Sequence, residues 1–328
     1  MRQKGETEPD MMRIAIAGGG GFAYLLAQQI TQGANAVLVL TRQTHPEFEQ
    51  SFTGCQVAVV DFGNVEELRY TLQGVDLLIS TISNNEQLNL IDAARRARVR
   101  LFVPSEFEGD LGHRPANDPL DHGSHAARDL LERWSHSRSH NMRYTVFSCG
   151  IFMERFGPGG LQAYNMGTSS RVQGPGDYLV NVAEAQGEIV ETNSHGRPAQ
   201  VALTSVYDVV QFIAAAIELG PGTWPREFRM RGDHMPVREI VATCSNVRGV
   251  PFRLVTRTYQ DAEAQAEDSQ RGGEWDRWHY YQRLLQTANG RYYVRGTNLN
   301  DVVNQSDATQ VRPVRFRTWL EQVWGPDV

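Results

Sequence analysis

The stretch RIAIAGGGGFAYLLAQQI, which begins at Arg13, constrains the fold more than any other part of the chain. Its apolar start predicts a strand, and the residues after the glycines have helical spacing. Gly18, Gly20 and Gly21 lie between the two, where small residues let a helix N-terminus approach a pyrophosphate. Tyr24 takes the usual place of a third glycine, so the helix is expected to lie farther from the sheet or to tilt. The stretch predicts a dinucleotide site, and a turn that binds nothing is the alternative.

Short apolar runs alternate with amphipathic segments after this turn, as in βαβ units of a parallel sheet. The pattern predicts an α/β fold: a Rossmann-type doubly wound parallel sheet with a smaller C-terminal α+β substrate lobe. Residues 1–10 are expected to be a disordered lead-in, residues 11–152 the nucleotide-binding domain, whose sheet later segments help to complete, and residues 153–328 the substrate lobe. The predicted strands are Arg13–Ala17, Ala36–Leu40, Gln56–Val60, Leu77–Thr81, Arg100–Pro104 and Tyr144–Cys149. The predicted helices between them are Phe22–Gln32, Val65–Leu72, Gln87–Ala97 and His125–Ser137.

The second half of the chain has a different pattern. Glycines crowd the stretch Gly157–Gly176, which is predicted to form loops. Beyond it we expect two helices, a strand and a long helical segment that is broken at a glycine pair. In chain order these are Ser205–Leu219, Val237–Val247, Phe252–Thr258 and Asp261–Ala288, with the break at Gly272-Gly273.

Composition narrows the choice of partners. The 328 residues carry a formal charge of −6, so no broad positive field favours nucleic acid or an anionic membrane. The N-terminal residues lack the apolar run of a signal peptide or a membrane span. Cys55, Cys149 and Cys244 lack the spacing of a zinc site or of a disulfide framework. These features predict a cytoplasmic protein without a metal, whose partner is a small molecule.

The end of the second predicted strand bears on which dinucleotide binds. Thr41 and Arg42 follow the run AVLVL, where NAD-binding folds carry an acidic residue for the ribose hydroxyls. A guanidinium there suits a 2′-phosphate, because its planar fork matches phosphate oxygens. NADP(H) is therefore the predicted cofactor, and an exposed arginine without a ligand is the alternative.

Other residues follow the remaining strands at the same edge of the sheet. Asp61 could accept the adenine amino group, and the run Thr81–Ser83 could lie beside the nicotinamide ribose, although Asp and Ser also cap helices. Cys149 is expected to be a small buried residue near the nicotinamide and not a nucleophile. The predicted cofactor set is Gly18, Gly20, Gly21, Phe22, Ala23, Arg42, Asp61, Phe62, Thr81, Ile82, Ser83, Pro104, Ser105, Cys149 and Gly150.

Several segments resemble one known family. They are IAIAGGGG, GVDLLISTIS, QLNLIDAARRARVRLFVPSEFEGD, YTVFSCGIFMERF and VALTSVYDVVQFIAAAIEL, which span most of Arg13–Leu219. On these segments the chain resembles the NmrA-like and isoflavone reductase-like proteins, atypical members of the short-chain dehydrogenase group. The resemblance implies a Rossmann domain, a C-terminal substrate lobe, NADPH as cofactor and, for the enzymes, hydride transfer to small aromatic or alkaloid-like molecules.

One residue of the family pattern is missing. The resemblance implies a catalytic lysine on the helix after the PSEF segment, but the only lysine of this chain is Lys4. Alignment of GSHAARDLLERW sets Ser124 at the lysine position, with His125 beside it and His122 nearby. These three residues are the catalytic candidates, since imidazole relays protons near neutral pH. The alternative is a serine that caps the helix and two exposed histidines.

The missing lysine leaves two functions open. The first is an NADPH-dependent reductase of secondary, alkaloid-like metabolism that reduces a C=N or an activated C=C bond, with ring formation as an added step. An iminium carbon needs no general acid, because its nitrogen becomes neutral as the hydride arrives. The second is a regulator of the NmrA type, which senses NADP(H) without turnover.

Residues near the predicted ligand edge are candidates for substrate binding. Phe107 and Phe152 each follow a strand at this edge, whereas the aromatic residues around Trp275 either line the pocket or pack a helix. Glu106 either contacts a cationic nitrogen or pairs with an arginine. The predicted substrate set is Glu106, Phe107, Phe152, Met153, Tyr164 and Tyr178.

Overall fold

Six parallel strands form the main sheet in the computed structural model, which describes residues 11–167, 172–306 and 309–325. In chain order they are β1 (Arg13–Ala17), β2 (Ala36–Thr41), β3 (Cys55–Val59), β4 (Leu77–Ser80), β5 (Leu101–Val103) and β6 (Arg143–Tyr144). Their order across the sheet is β3-β2-β1-β4-β5-β6. The winding reverses between β1 and β4, which is the switch point where ligands of such sheets bind. The predicted Rossmann-type parallel sheet is confirmed.

Helices cover both faces of this sheet. They are α1 (Gly21–Ile30), α2 (Pro46–Ser51), α3 (Val65–Thr71), α4 (Asn84–Arg96) and α5 (Ser124–Ser135). Apolar residues of α1 and α2 enter one buried cluster, and those of α3, α4 and α5 enter another. Helix α2 was missing from the sequence prediction because six residues are too short to show a helical period.

The predicted strand Tyr144–Cys149 is divided at Thr145 in the structure. Its first part, β6, pairs with β5, while its second part, β7 (Val146–Ser148), pairs with β12 (Glu227–Arg229). The Thr145 hydroxyl donates to the carbonyl of Pro225 at 2.8 Å. A segment from the second half of the chain therefore forms a separate two-stranded sheet with the continuation of β6.

Two small sheets and six helices make up the rest of the described chain. The remaining strands are β8 (Ile151–Phe152), β9 (Val180–Asn181), β10 (Gln186–Val190), β11 (Gln200–Thr204), β13 (Asp233–Pro236) and β14 (Arg253–Arg257). They pair in the orders β14-β10-β9 and β13-β11-β8. The helices are α6 (Val206–Glu218), α7 (Val237–Arg248), α8 (Tyr259–Arg271), α9 (Trp275–Ala288), α10 (Asn298–Asn304) and α11 (Phe316–Trp324).

The sequence predicted the helices of this half better than its strands. Helices begin at Val206 and Val237 as expected, a strand covers Arg253–Arg257, and the long helical segment is broken at Gly272-Gly273. Strands β10 to β13 were not predicted, since each depends on a partner from another part of the chain, and β9 was missed because it has only two residues. The predicted loop stretch contains one short 3-10 turn, Gly160–Tyr164, and another, Met153–Phe156, comes directly before it.

The two halves share one core. Helix α6 packs against α1, and its apolar side chains belong to the same buried cluster. The expected lead-in, residues 1–10, and part of the predicted loop stretch, residues 168–171, lie outside the described residues. No helix in the described part of the chain is long and apolar enough to cross a membrane.

Candidate functional site

A cavity of about 360 Å³ opens at the carboxyl edge of the main sheet, beside the glycine turn. Most of the predicted cofactor set lines it, namely Gly18, Gly20, Gly21, Phe22, Ala23, Arg42, Phe62, Thr81, Ile82, Ser83, Ser105 and Gly150. Asp61, Pro104 and Cys149 lie outside the lining. The sequence therefore located this cavity from the ends of the strands.

Gly18 ends β1 at a position where only glycine fits. Its φ is +123°, and a Cβ atom there would lie 2.1 Å from the Thr81 hydroxyl oxygen. The Gly18 N–H donates to the carbonyl of Leu40 at 2.8 Å, and the Thr81 hydroxyl donates to the carbonyl of Ala17 at 2.8 Å. The turn is thus held between β2 and the end of β4, with no side chain between the sheet and the cavity.

Gly21 has a role that the sequence analysis did not foresee. A Cβ atom at Gly21 would lie 1.8 Å from the carbonyl oxygen of Tyr164, and the Gly21 N–H donates to the carbonyl of Asn165 at 2.9 Å. This glycine therefore lets a protein segment approach α1, whereas the sequence assigned the space to a pyrophosphate. Nothing local signals the contact, because the two segments are far apart in the chain.

Tyr24, at the place of the third glycine, packs against α2. Its ring centroid lies 5.3 Å from that of Phe48 and 4.9 Å from that of Phe52. The helix that the sequence did not predict thus provides the contact surface for this aromatic side chain.

Arg42 and His45 flank the glycine turn beyond β2. The Arg42 side chain is 72% exposed, and its Nη1 lies 3.5 Å from a carboxylate oxygen of Glu86. A Cβ atom on Gly19 would lie 2.7 Å from His45 Nε2, and His45 Nδ1 lies 2.7 Å from a carboxylate oxygen of Glu47. His45 was missed by the sequence analysis, although its position three residues after Arg42 was a usable signal.

Two predicted cofactor residues have structural partners instead. The Asp61 carboxylate accepts the Gly63 N–H at 2.7 Å, so it closes a turn, whereas the helix that follows is capped by Asn64. Cys149 is fully buried, and burial raises the pKa of its thiol. The cysteine therefore stays protonated, in keeping with the expectation that it is no nucleophile.

The three catalytic candidates, near the start of α5, differ in whether they reach the cavity. Ser124 and His122 line the cavity, but His125 does not. The His125 side chain is 52% exposed, and its Nε2 lies 3.5 Å from a carboxylate oxygen of Asp129. The His122 ring stacks on His279 with centroids 5.8 Å apart, and burial together with the charge of Arg283 lowers its pKa.

Glu106 pairs with arginines, which is one of the two roles that the sequence left open. Its carboxylate is completely buried, Arg114 Nη1 donates to it at 2.6 Å, and Arg128 Nε lies 3.5 Å away. Burial lowers the pKa of Arg114, but the charges of Glu106 and Glu108 outweigh it, so the pKa is raised. The carboxylate of Glu106 is held by these arginines and is closed off from solvent.

Glu108 is a cavity carboxylate that the sequence analysis missed. Two N–H groups of Arg291 donate to it at 3.2 and 2.9 Å, and the Tyr292 hydroxyl donates at 3.0 Å. Arg291 also donates to Asp118 at 2.6 Å. Burial alone would raise the pKa of Glu108, but the charges of Arg291 and Arg114 hold it well below its usual range.

The far side of the cavity carries Arg155 and Arg283, two further residues that the sequence analysis missed. Their guanidinium carbons lie 6.0 and 5.7 Å from the ring centroid of Tyr178. Arg283 Nη1 donates to the Tyr292 hydroxyl at 3.1 Å. No local pattern marks these arginines, since they come from separate segments that meet only in the fold.

The predicted substrate residues fall into two groups. Phe107, Phe152 and Tyr178 line the cavity, as does Glu106. The Phe22 ring joins the first two, with centroids 4.6 Å from Phe107 and 5.7 Å from Phe152. Met153 and Tyr164 lie outside the lining, Met153 in a buried cluster and Tyr164 beside Gly21. In the part of the chain that the structure describes, no group of His, Cys, Asp or Glu residues could hold a metal ion.

A doubly wound sheet with a glycine turn and a cavity at its switch point defines a Rossmann-type nucleotide-binding protein. The family model for the NmrA-like family matches residues 11–264, and the chain belongs to this family. The resemblance seen in the sequence is thereby confirmed.

Individual relatives are distant. The chain is similar to oxidoreductase swnR of Metarhizium robertsii, with 26% identity over 230 residues, which cover 68% of this chain and 69% of that protein. The fold is similar to that of the NADPH-dependent quinone oxidoreductase QOR2 of Escherichia coli complexed with NADPH, with a TM-score of 0.64, 15% identity and coverage of 95% and 100%. It is also similar to that of isoflavone reductase, with a TM-score of 0.65, 16% identity and coverage of 95% and 99%.

Proposed function

We propose that the protein is an NADPH-dependent oxidoreductase that reduces a C=N or an activated C=C bond of a small molecule. The observation that carries the proposal is that the glycine turn, Arg42, Ser124 and His122 all line one cavity. A cofactor seat and polar groups suited to proton handling therefore share a space. The swnR relative is named an oxidoreductase, and QOR2 was solved with NADPH, which supports the same class.

The residues around the turn fit a dinucleotide with a 2′-phosphate. Gly18 has no side chain to block the edge of the sheet, and Arg42 is exposed, with one carboxylate contact at 3.5 Å. A phosphate can replace that weak contact, because an exposed ion pair is worth little. When bound, NADPH supplies a hydride from its nicotinamide ring.

The protein's own residues shape the substrate end. The rings of Phe22, Phe107 and Phe152 form an apolar surface that excludes water. Ser124 offers a hydroxyl, and His122, whose pKa is lowered, is neutral near pH 7 and can accept or pass on a proton. A protonated imine brings its own positive charge, so it does not need the lysine that the chain lacks.

The proposal extends to the kind of substrate and to a second reaction step. An aromatic or alkaloid-like imine of secondary metabolism suits the apolar surface, and the reduced product could close a second ring while the cavity holds its reacting atoms together. The three cysteines are free and buried, which fits the reducing cytoplasm.

The test is turnover with a panel of cyclic imines and enones, followed through the absorbance of the reduced nicotinamide and through product analysis. We expect NADPH oxidation with imines, and His122→Ala should slow it by about 10²-fold or more, the range of a lost acid–base group. His136→Ala is the matched control, because its side chain is 73% exposed at the far end of α5. The rate of NADPH oxidation by His125→Ala shows whether this more exposed histidine takes part in the reaction.

The regulator remains the second candidate because the family lysine is missing. Tight binding of NADP+ and NADPH without turnover of any compound in the panel would favour it over the reductase. Failure to bind either dinucleotide would contradict both functions.

A further inference from the structure

Two arginines face the cavity without a carboxylate partner. Arg283, in α9, is 6% exposed, and Arg155, in the turn Met153–Phe156, is partly exposed. No carboxylate in the described ranges forms an ion pair within 4 Å of either side chain. Their hydrogen-bond acceptors are neutral: the Tyr292 hydroxyl for Arg283 and the Val172 carbonyl for Arg155. The Nε of Arg283 is buried without any partner among the described residues.

The two guanidinium groups lie beside the same aromatic ring. Their central carbons are 6.0 and 5.7 Å from the ring centroid of Tyr178. Burial, and after it the charge of Arg283, lowers the pKa of Arg155 to about 10. Arg155 therefore stays positive at neutral pH, and the charge of Arg283 acts against it.

The surrounding charges do not balance them. We use the name arginine cluster for the connected buried ion pairs together with these two residues. Its described members are Arg114, Arg128, Arg155, Arg283 and Arg291 with the carboxylates Glu106, Glu108 and Asp118. Within this set five arginines meet three carboxylates. The charge of Glu108 acts on both Arg155 and Arg283, but Glu108 is already paired with Arg291. Buried charges without a direct counterion are costly, so the two arginines favour a further negative group.

The contacts of the pair distinguish it from the rest of the cluster. Arg114, Arg128 and Arg291 each contact a carboxylate, so they hold the structure together. Arg155 and Arg283 instead contact Tyr178, Tyr292 and Val172, and neither has a recorded contact with the glycine turn. Their position favours an anionic group on the substrate over a phosphate of the cofactor.

We propose that Arg155 and Arg283 bind a carboxylate of the substrate, so that the compound reduced is a cyclic imine that bears a carboxylate. The imine rests on the proposed function, whereas the carboxylate follows from the arginines alone. The Tyr292 hydroxyl accepts from Arg283 and donates to Glu108, so positive and negative groups lie on either side of it. A ligand with a carboxylate and a positively charged nitrogen matches both.

Binding to the complex with NADP+ tests the carboxylate without requiring turnover. The probes are proline and prolinamide, in both enantiomers, which differ in a carboxylate against a neutral amide. We expect proline to bind more tightly by about ten- to a hundredfold, the range of charge-assisted hydrogen bonds. Arg283→Gln and Arg155→Gln should each remove most of this preference, and Arg283→Lys should keep part of it.

The matched control is Arg277→Gln, an exposed arginine of the same helix that pairs with Glu274. It should leave the preference for proline unchanged. The affinity for NADP+ reports whether each variant is folded and should stay the same throughout. The proposal is overturned if neither proline enantiomer binds, or if prolinamide binds as tightly as proline. It is also overturned if Arg283→Gln keeps the preference for proline, or if the Gln variants weaken the binding of NADP+ as much as the binding of proline.

Turnover separates this proposal from the function on which it rests. NADPH oxidation with 1-pyrroline-2-carboxylate should exceed that with 1-pyrroline, and Arg283→Gln should abolish the difference. Arginine-dependent binding of proline without reduction of either imine would contradict the reductase and still support the carboxylate site. Equal reduction of both imines would support the reductase and overturn the carboxylate site.

Discussion

Arg42 and Arg291 illustrate two ways in which this protein uses an arginine near its cavity. Arg42 is 72% exposed and lies 3.5 Å from one carboxylate, whereas the Arg291 side chain is 2% exposed and donates to both Glu108 and Asp118. Water screens the first contact, so it contributes little to stability and leaves the guanidinium available to a ligand. The second contact holds two carboxylates in place, and its loss removes the ion pair that they share. The arginine at the glycine end is therefore available to a ligand, whereas Arg291 stabilises the fold.

The strongest test of this contrast removes the buried arginine. Arg291→Met should lower the free energy of unfolding by about 3–5 kcal/mol, because Glu108 and Asp118 lose their shared partner. Chemical denaturation measures the change. Arg317→Met is the control, since its pair with Glu321 lies on the surface of α11 and should be worth less than about 1 kcal/mol. Equal losses for the two variants would contradict the contrast.

A second test compares two buried carboxylates. Arginines depress the pKa of Glu108, whereas Glu154 accepts from the Ser205 hydroxyl and the Val206 N–H, and burial outweighs these bonds and raises its pKa from 4.5 to about 7. Because the folded protein holds that proton more tightly, stability should fall as the pH rises through this window. The full effect is roughly 3 kcal/mol.

Glu154→Gln isolates this effect, since every other titrating group is common to both proteins. The variant should lose less stability than the wild type between about pH 5 and pH 8, as measured by denaturant unfolding. Parallel stability curves over that range would show that Glu154 is ionised in the folded protein.

The third test concerns the glycine end itself. Gly21→Ala should destabilise the protein by about 2 kcal/mol, because the added methyl group overlaps the Tyr164 carbonyl. Alanine is otherwise the better helix former, so any loss reflects the contact. Gly222→Ala is the control, as nothing lies within 4 Å of its Cβ position. A variant with unchanged thermal stability would mean that the Tyr164 segment does not rest on α1 in solution.

The smallest effect on stability and the clearest effect on binding belong to Arg42. Arg42→Ala should leave the unfolding free energy within about 0.5 kcal/mol, because the residue is exposed. It should weaken the binding of NADPH by roughly tenfold or more and the binding of NADH by much less, since only NADPH carries the 2′-phosphate. Glu86→Gln should instead strengthen the binding of NADPH, because it removes the carboxylate that competes for Arg42. If Arg42→Ala weakened the binding of NADPH and NADH equally, the 2′-phosphate assignment would be contradicted.

Local patterns predicted the parts of the fold that local physics controls. Strands β1 and β4 are continuous apolar runs buried on both faces, and α4 shows its core residues at helical spacing, so each could be recognised without its neighbours. Strand β12 is only three residues long, and it exists because a distant segment, β7, supplies its hydrogen-bond partners. No window along the chain contains that information.

The same division applies to the site. Gly18 and Arg42 follow strands, and their places at the edge of the sheet were predicted from strand order, whereas Ser124 was placed through the family resemblance. Arg155 and Arg283 meet only after the turn Met153–Phe156 and α9 have folded against Tyr178. Their lack of a carboxylate partner is a property of three-dimensional packing.

The sequence by itself determined the Rossmann sheet, the glycine turn and the arginine that favours a 2′-phosphate, because spacing and strand order suffice for each. Tertiary structure alone decided that Gly21 meets the Tyr164 segment, that Glu106 is enclosed by arginines, and that Arg155 and Arg283 face the cavity unpaired. The physical reason is that desolvation depends on everything that surrounds a charge, and those surroundings come from all parts of the chain.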